Sequence, residues 1–357
     1  MAATAATSSL PTTLLRGTDM QCGIVGFGCA SLGGVYGDVD LETCREAVTE
    51  SIALGVNFFD TSPYYGNSEE MLGKCLAGVA RDTFYIATKC GRYGDGTHDG
   101  DIDFSAARIR ASVLNSCELI GVECLDLVQC HDIEFADLDQ IITETLPALD
   151  ELRREGKLRY IGVSSYCLEK LICAVERSPI IDTVQTYCRL CLVDNTLMDL
   201  APYFQRRNIG VINGSPLGMG LLTGRPPQDW HGAPDVLKQK CIEMARATEA
   251  VGVKLPVVAI AYATSMPDVA NITLMGTSKA SRMRSNIAAV TSPPEAYEAA
   301  LRAIQDITGA KDIRRLTTVA VNGHGHNCVY SANIDQVVVT SMPLPASPRP
   351  SFYCGKT

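Results

Sequence analysis

The sequence predicts an α/β chain folded as a closed (β/α)8 TIM barrel, and two observations carry the prediction. Short apolar runs alternate with stretches of helical periodicity about eight times, with no block of consecutive strands. Polar residues of chemically useful type stand at the carboxyl ends of those runs along the whole chain, among them Asp60, Lys89, His131, Ser164 and Gln185. An open doubly wound sheet shares the alternation but concentrates such residues at one switch point.

The elements follow in order. Ile24 to Gly28 is a short apolar run entering glycine-rich chain (Gly26, Gly28, Gly33, Gly34, Gly37). Leu41 to Leu54 has helical periodicity, Val56 to Phe59 reads as a strand, Ser68 to Leu76 as a helix capped by Ser68, and Phe84 to Thr88 as a strand. Ile109, Val113 and Cys117 recur at four-residue spacing, which makes Ser105 to Leu119 an amphipathic helix. Leu125 to Gln129 is the next strand, and Gln140 to Glu155 is a helix stopped by Gly156. The strands Tyr160 to Val163, Thr183 to Gln185 and Gly210 to Ile212 are separated by the helices Leu168 to Glu176 and Thr196 to Arg207. A polar, proline-rich stretch from Gly224 to Asp235 interrupts the alternation. Helices at Val236 to Ala250 and Pro256 to Thr264, a strand at Asn271 to Leu274 and a helix at Ser281 to Val290 complete it. Ala296 to Asp306 is helical, whereas Arg314 to Thr357 is rich in Pro, Ser, Gly and Val, with Val337 to Thr340 a further candidate strand. The organisation expected is a disordered tail over 1–14, a barrel over 15–310 and a C-terminal extension over 311–357.

Composition narrows the function classes. The 357 residues are 46% hydrophobic, enough to build one large core. The net charge is -9 and no Lys/Arg run interleaves with aromatics, which argues against a nucleic-acid or anionic-membrane partner. No apolar stretch approaches the ~20 residues of a membrane span. Fifteen cysteines in a chain this long, mostly inside apolar stretches and odd in number, read as free thiols in a reducing compartment, and the cytoplasm is the expectation. Cys188 and Cys191 form a chance CxxC pair, and His324 and His326 lack a third ligand nearby, so no metal is expected. A monomer or weak homodimer is the expected state.

The strand-end residues suggest acid–base chemistry. A phenol, with a reference pKa of about 10, exchanges protons at neutral pH only beside a cation that favours the phenolate. Lys89 can supply that charge, Asp60 can hold the ammonium, and His131 can hydrogen-bond a substrate oxygen. Taken singly, Asp60 also fits a helix cap, Lys89 a solvated strand end, and His131 a polar loop with Asp132 and Glu134. Tyr64 and Tyr65 compete for the phenol's role, and local chemistry does not separate them.

The segment Asn57-Phe-Phe-Asp-Thr-Ser-Pro-Tyr-Tyr-Gly66 resembles the signature of the aldo-keto reductases, and Asp60, Tyr65, Lys89 and His131 match that family's catalytic tetrad. The resemblance selects Tyr65, five residues beyond the aspartate, and leaves Tyr64 as a pocket wall. It implies a barrel of the aldo-keto reductase type that binds an extended nicotinamide dinucleotide across its mouth. Ile161-Gly-Val-Ser-Ser165 is similar to the family's Ile-Gly-Val-Ser-Asn, which with Gln185 implies carboxamide contacts from Ser164, Ser165 and Gln185. Ser215-Pro-Leu-Gly218 resembles the pyrophosphate loop, implying contacts from Ser215, Leu217 and Gly218. Gly214 stands where many members carry an aromatic stacked on the nicotinamide. Gly276, Ser278, Arg282 and Asn286 match the adenosine-phosphate segment, with Gly276 in place of the lysine of NADP-binding members and with Lys279 and Arg284 nearby. NAD is the expected cofactor, with NADP the alternative. Within the family the resemblance is strongest to sugar 1-dehydrogenases, which oxidise the anomeric carbon of L-galactose, D-arabinose or L-fucose. Arg92, Tyr93 and Asp132 are then candidates to bind the remaining hydroxyls of a small sugar. A broad-range NADPH-dependent aldehyde reductase is the rival reading.

Overall fold

The computed structural model describes residues 9–308 except 36, 95–97 and 229–230, together with two short paired strands, Val321–Gly323 and His326–Cys328. A hairpin, β1 (Thr12–Leu14) and β2 (Gln21–Gly23), leads into eight barrel strands. These are β3 (Val25–Gly28), β4 (Phe58–Asp60), β5 (Tyr85–Cys90), β6 (Leu125–Cys130), β7 (Leu158–Ser164), β8 (Thr183–Tyr187), β9 (Gly210–Gly214) and β10 (Ile272–Met275). All neighbours are parallel, and β10 pairs with β3 to close the cylinder, so the expected closed (β/α)8 fold is the one observed.

Helices intervene as α1 (Leu41–Ala53), α2 (Ser68–Leu76), α3 (Ala106–Ile120), α4 (Leu138–Gln140) continued through a π turn into α5 (Leu146–Arg154), α6 (Leu168–Arg177) and α7 (Leu197–Arg206). They continue as α8 (Asp235–Ala250), α9 (Leu255–Thr264), α10 (Ala280–Thr291) and α11 (Glu298–Thr308). Among the described residues no single helix is long and apolar enough to cross a membrane.

Strand alternation divides the core in two. Phe59, Ile86, Val128, Ile161, Val163, Val184 and Val211 point outward and pack with helix residues such as Ile109, Leu149 and Leu171. Phe58, Ala87, Leu127, Ile212, Ile272 and Leu274 form a separate interior cluster, plugged from below by Leu15, Met20 and Cys22 of the hairpin. Asn57 fastens that plug, its Oδ1 accepting from Gly23 N (2.9 Å) and its Nδ2 donating to Gln21 O (2.8 Å).

Two expectations change. The chain read as tail through residue 14 is already folded at Thr12, because Leu10 is buried and β1 pairs with β2. Ser68 is the first residue of α2 rather than its cap; its hydroxyl donates to Cys29 O (2.8 Å) and sits 2.9 Å from Thr61 Oγ1. The thirteen cysteines within residues 9–308 are all free, Cys188 and Cys191 included, as expected. The candidate strand at 337–340 and His324 lie outside the described residues.

Candidate active site

The inward phase that fills the barrel with Phe58, Ala87 and Leu127 continues to the strand ends. It places Asp60, Lys89, Gln129, Ser164 and Gln185 on the inner face at the C-terminal mouth. Lys89 is wholly buried there, and its Nζ donates to Asp60 Oδ1 (2.5 Å) and to the carbonyl of Thr61 (3.0 Å). Burial pushes the Asp60 carboxyl above the usual carboxylate range; the Lys89 charge and donors from Lys89, Gln185 and Gln129 oppose that rise.

Two tyrosines follow on the turn after β4, and their neighbours separate them. Lys89 Nζ lies 4.9 Å from the centroid of Tyr65, whereas the Tyr64 ring is covered by the Arg92 guanidinium at 4.0 Å. His131, just past β6, meets both rings edge-on, at 5.7 Å from Tyr65 and 5.8 Å from Tyr64. Its Nδ1 is 3.1 Å from Ser62 Oγ, which orients the imidazole from behind. Asp60, Tyr65, Lys89 and His131 are therefore brought together from separate strands and loops.

Arg92 and Asp132 are both buried and pair with each other, Nη1 to Oδ2 at 2.5 Å. Asp132 sits in the left-handed region (φ 52°) and its backbone N donates to Ser164 Oγ (3.0 Å). Burial raises its carboxyl, with Arg92 opposing. Tyr93 does not join them. Its hydroxyl accepts from Gly91 N (3.2 Å), its ring packs under Arg108 of α3 (4.1 Å), and burial lifts its phenol to about 12. As a sugar contact Tyr93 is withdrawn, because the residues around it belong to the outer layer.

Of the carboxamide candidates, Ser164 and Gln185 are buried and point inward, while the Ser165 hydroxyl accepts from Cys167 N (2.9 Å) in its own turn. Ser215 and Gly218 have positive φ (55° and 57°), and His231 Nε2 lies 3.0 Å from the Gly218 carbonyl, bracing the segment that also holds Leu217. Tyr187 fills the space opposite Gly214: a Cβ on Gly214 would lie 2.7 Å from its ring. Gly276 and Ser278 follow β10, and Arg282 and Asn286 share one face of α10, four residues apart. Arg284, which adds charge near this segment in the sequence, pairs with Glu50 of α1 at 2.8 Å. A cavity of about 740 Å³ lies at the opposite, N-terminal end of the barrel, lined by residues such as Arg16 and Asn271, and contains none of these groups.

Sequence reasoning missed Ser62 and Gln129. Gln129 was open to discovery, because it stands two residues before His131 and shares its strand face. Cys90 and Cys130 take the outward phase, fully buried between strands and helices. A hydrogen bond to Cys130, then burial, raises the Cys90 thiol, so it is an inert core group.

Comparison with known proteins agrees with this geometry. The Aldo/keto reductase family model matches residues 24–304. The chain is 41% identical over 283 residues to the L-galactose dehydrogenase of Arabidopsis thaliana, covering 78% of this chain and 87% of that one. It is 34% identical over 234 residues to the D-arabinose 1-dehydrogenase of Saccharomyces cerevisiae, covering 62% and 68%. Among solved structures, the aldo-keto reductase AKR11C1 from Bacillus halodurans (holo form) superposes with a TM-score of 0.68 at 28% identity, over 84% of this chain and 96% of that one. With the family match running from Ile24, in front of the first barrel strand, to Ile304 in the last described helix, this chain belongs to the aldo/keto reductase family.

Proposed function

We propose that this oxidoreductase is an NAD-dependent sugar 1-dehydrogenase that oxidises the anomeric carbon of L-galactose to L-galactono-1,4-lactone, a step toward ascorbate. The observation that carries the chemistry is the buried Asp60–Lys89 pair beneath the Tyr65 ring, with His131 edge-on to the same ring. The 41% identity to L-galactose dehydrogenase supports the substrate.

Members of this family use NAD or NADP, and the residues at the mouth fit such a group. Ser164 and Gln185 offer buried polar groups beside the Asp60–Lys89 pair for the carboxamide. The left-handed turns at Ser215 and Gly218 suit an anion-facing loop. Three observations favour NAD. Gly276 carries no cation, a Cβ there would come within 3.0 Å of the Gly28 carbonyl, and Arg284 is drawn away by Glu50. A 2'-phosphate wants several charged donors, and Arg282 with Lys279 is a thin set.

The chemistry supplied by the bound nicotinamide is acceptance of hydride from C1 of the sugar. Tyr65, as phenolate, takes the proton of the anomeric hydroxyl. Lys89 stabilises that phenolate, Asp60 holds Lys89, and His131 orients the hydroxyl. Arg92 and Asp132, already paired, present polar atoms for the remaining hydroxyls, and such recognition discriminates epimers strongly.

Initial rates of reduced-nicotinamide formation test the reading, with NAD and NADP each run against L-galactose, D-arabinose, L-fucose and D-glucose. The expected result is a large preference for L-galactose with NAD. Inert sugars, together with NADPH consumption on simple aldehydes, would replace it with a broad-range reductase.

A further inference from the structure

We infer that Gln129 is a positioning residue that couples the proton-transfer group to the cofactor seat, its one amide nitrogen bridging Asp60 and Gln185. The inference rests on the roles proposed above for Asp60, Lys89, Tyr65 and Gln185, and is independent of which sugar is the substrate.

Gln129 is fully buried on β6, beside Lys89 of β5 and Gly162 of β7 in the strand register. Its Nε2 donates to Asp60 Oδ2 (3.1 Å) and to Gln185 Oε1 (2.8 Å). Asp60 therefore has one oxygen on Lys89 and the other on Gln129. The orientation of the amide follows from chemistry: an ionised carboxylate only accepts, so the nitrogen must face it. Gln129 Oε1 is left buried without a hydrogen-bond partner among the described residues.

The path to Gln185 exists because β7 offers no side chain there. A Cβ on Gly162 would lie 2.9 Å from Gln129 Cγ and would overlap Thr183 Oγ1. The glycine opens the interior so that a glutamine on β6 reaches past β7 to β8.

Two consequences follow from one side chain. Losing the donor to Asp60 weakens the ionised Asp60–Lys89 pair on which the Tyr65 phenolate depends, so oxidation requires a higher pH. Losing the donor to Gln185 leaves that amide held only from the Asp60 side, so its carbonyl is less firmly oriented and cofactor binding weakens. The other titratable groups around the pair are Tyr65 and Cys29 on their loops, Glu69 on α2, His131 and Asp132 after β6, and Tyr187 on β8. A substitution at position 129 leaves them all in place.

The test compares wild type with Gln129→Met, which keeps the volume without the donor, in three measurements. These are direct fluorescence titration of NADH, the pH profile of kcat/KM on the best substrate of the wild type, and thermal melting. NADH should bind roughly fivefold more weakly, the worth of about one hydrogen bond, and the rising limb of the profile should move up by roughly half to one pH unit. Unchanged binding and an unmoved profile would overturn the inference, even with a lower melting temperature. A change in only one of them would overturn the bridge. If Gln129→Met does not fold, Gln129→Asn carries the same test, being one methylene too short to span both acceptors. Tyr65→Phe runs alongside: wild-type turnover in that variant would defeat the proposed chemistry itself, whatever Gln129 does.

Discussion

Two adjacent tyrosines, chemically identical, have different neighbours, and the difference decides what each can do. Tyr65 has Lys89 under its ring, and Tyr64 has over its ring Arg92, whose charge is already paired with Asp132. Tyr65→Phe should lower kcat by about 10²- to 10⁴-fold, as for loss of a general acid–base group, while Tyr64→Phe should mainly raise KM. Steady-state kinetics of both variants checks this, and the reverse ranking would reassign the phenol. Glu134 supports a second prediction at this scale. One of its oxygens accepts from Tyr166 N (2.8 Å) while Oε2 is sealed from solvent, and burial, followed by Asp132, pushes the carboxyl up to about 7. A carboxyl raised on folding binds more protons when native than when unfolded. Its stabilisation is therefore full below the unfolded value, near 4.5, and is lost as pH rises through about 7. Glu134→Gln keeps the acceptor and removes the titration. It should raise stability at pH 8 by on the order of 2 kcal/mol and change it little at pH 4.5, read from denaturant melts at both pH values.

At the scale of elements, the turn after β4 is held by what glycine omits. A Cβ on Gly33 would overlap the Tyr65 carbonyl, and Gly66, at φ 60°, places its own Cβ position 2.6 Å from the Gly33 carbonyl. The two loops pack backbone to backbone, which fixes where Tyr65 stands over Lys89. Gly33→Ala should therefore cut kcat/KM at least tenfold while leaving a cooperative melt, an outcome checked by kinetics and calorimetry on the same preparation. The glycine-rich stretch was plain in the sequence, and so were the alternation that built every barrel strand and the apolar stripe of α3. The partners of the glycines were not, because Gly33 and Tyr65 meet only after two strands have paired. The same reason hid the role of Ser68. Its position at a helix start looks like a cap, but its hydroxyl is taken by Cys29 and Thr61 across the loop interface.

Across the whole molecule the two ends of the barrel do different work. At the foot, Asp126 is buried between Arg81 (2.6 Å) and Arg159 (2.8 Å) and accepts from Ile86 N (2.8 Å), far along the strands from Lys89. Asp126→Ala strips a buried amide of its acceptor and two half-exposed cations of their partner. It should cost about 2–3 kcal/mol in urea unfolding and leave kcat/KM within twofold of wild type. A comparable loss of activity would contradict the division of the barrel into a stabilising foot and a reactive mouth.

The sequence by itself determined the class of fold and set Asp60, Lys89 and His131 at the ends of successive apolar runs, with two tyrosines on the turn after Asp60. Those properties follow from periodicity and from residue type, which are local. The tertiary structure decided which phenol lies over the ammonium, that Tyr93 turns outward to α3, that Arg284 goes to Glu50, and that Gln129 reaches past Gly162 to Gln185. Each of these joins residues distant in sequence. Barrel closure sets which of the possible partners come within hydrogen-bonding reach, and no stretch of local sequence encodes that choice.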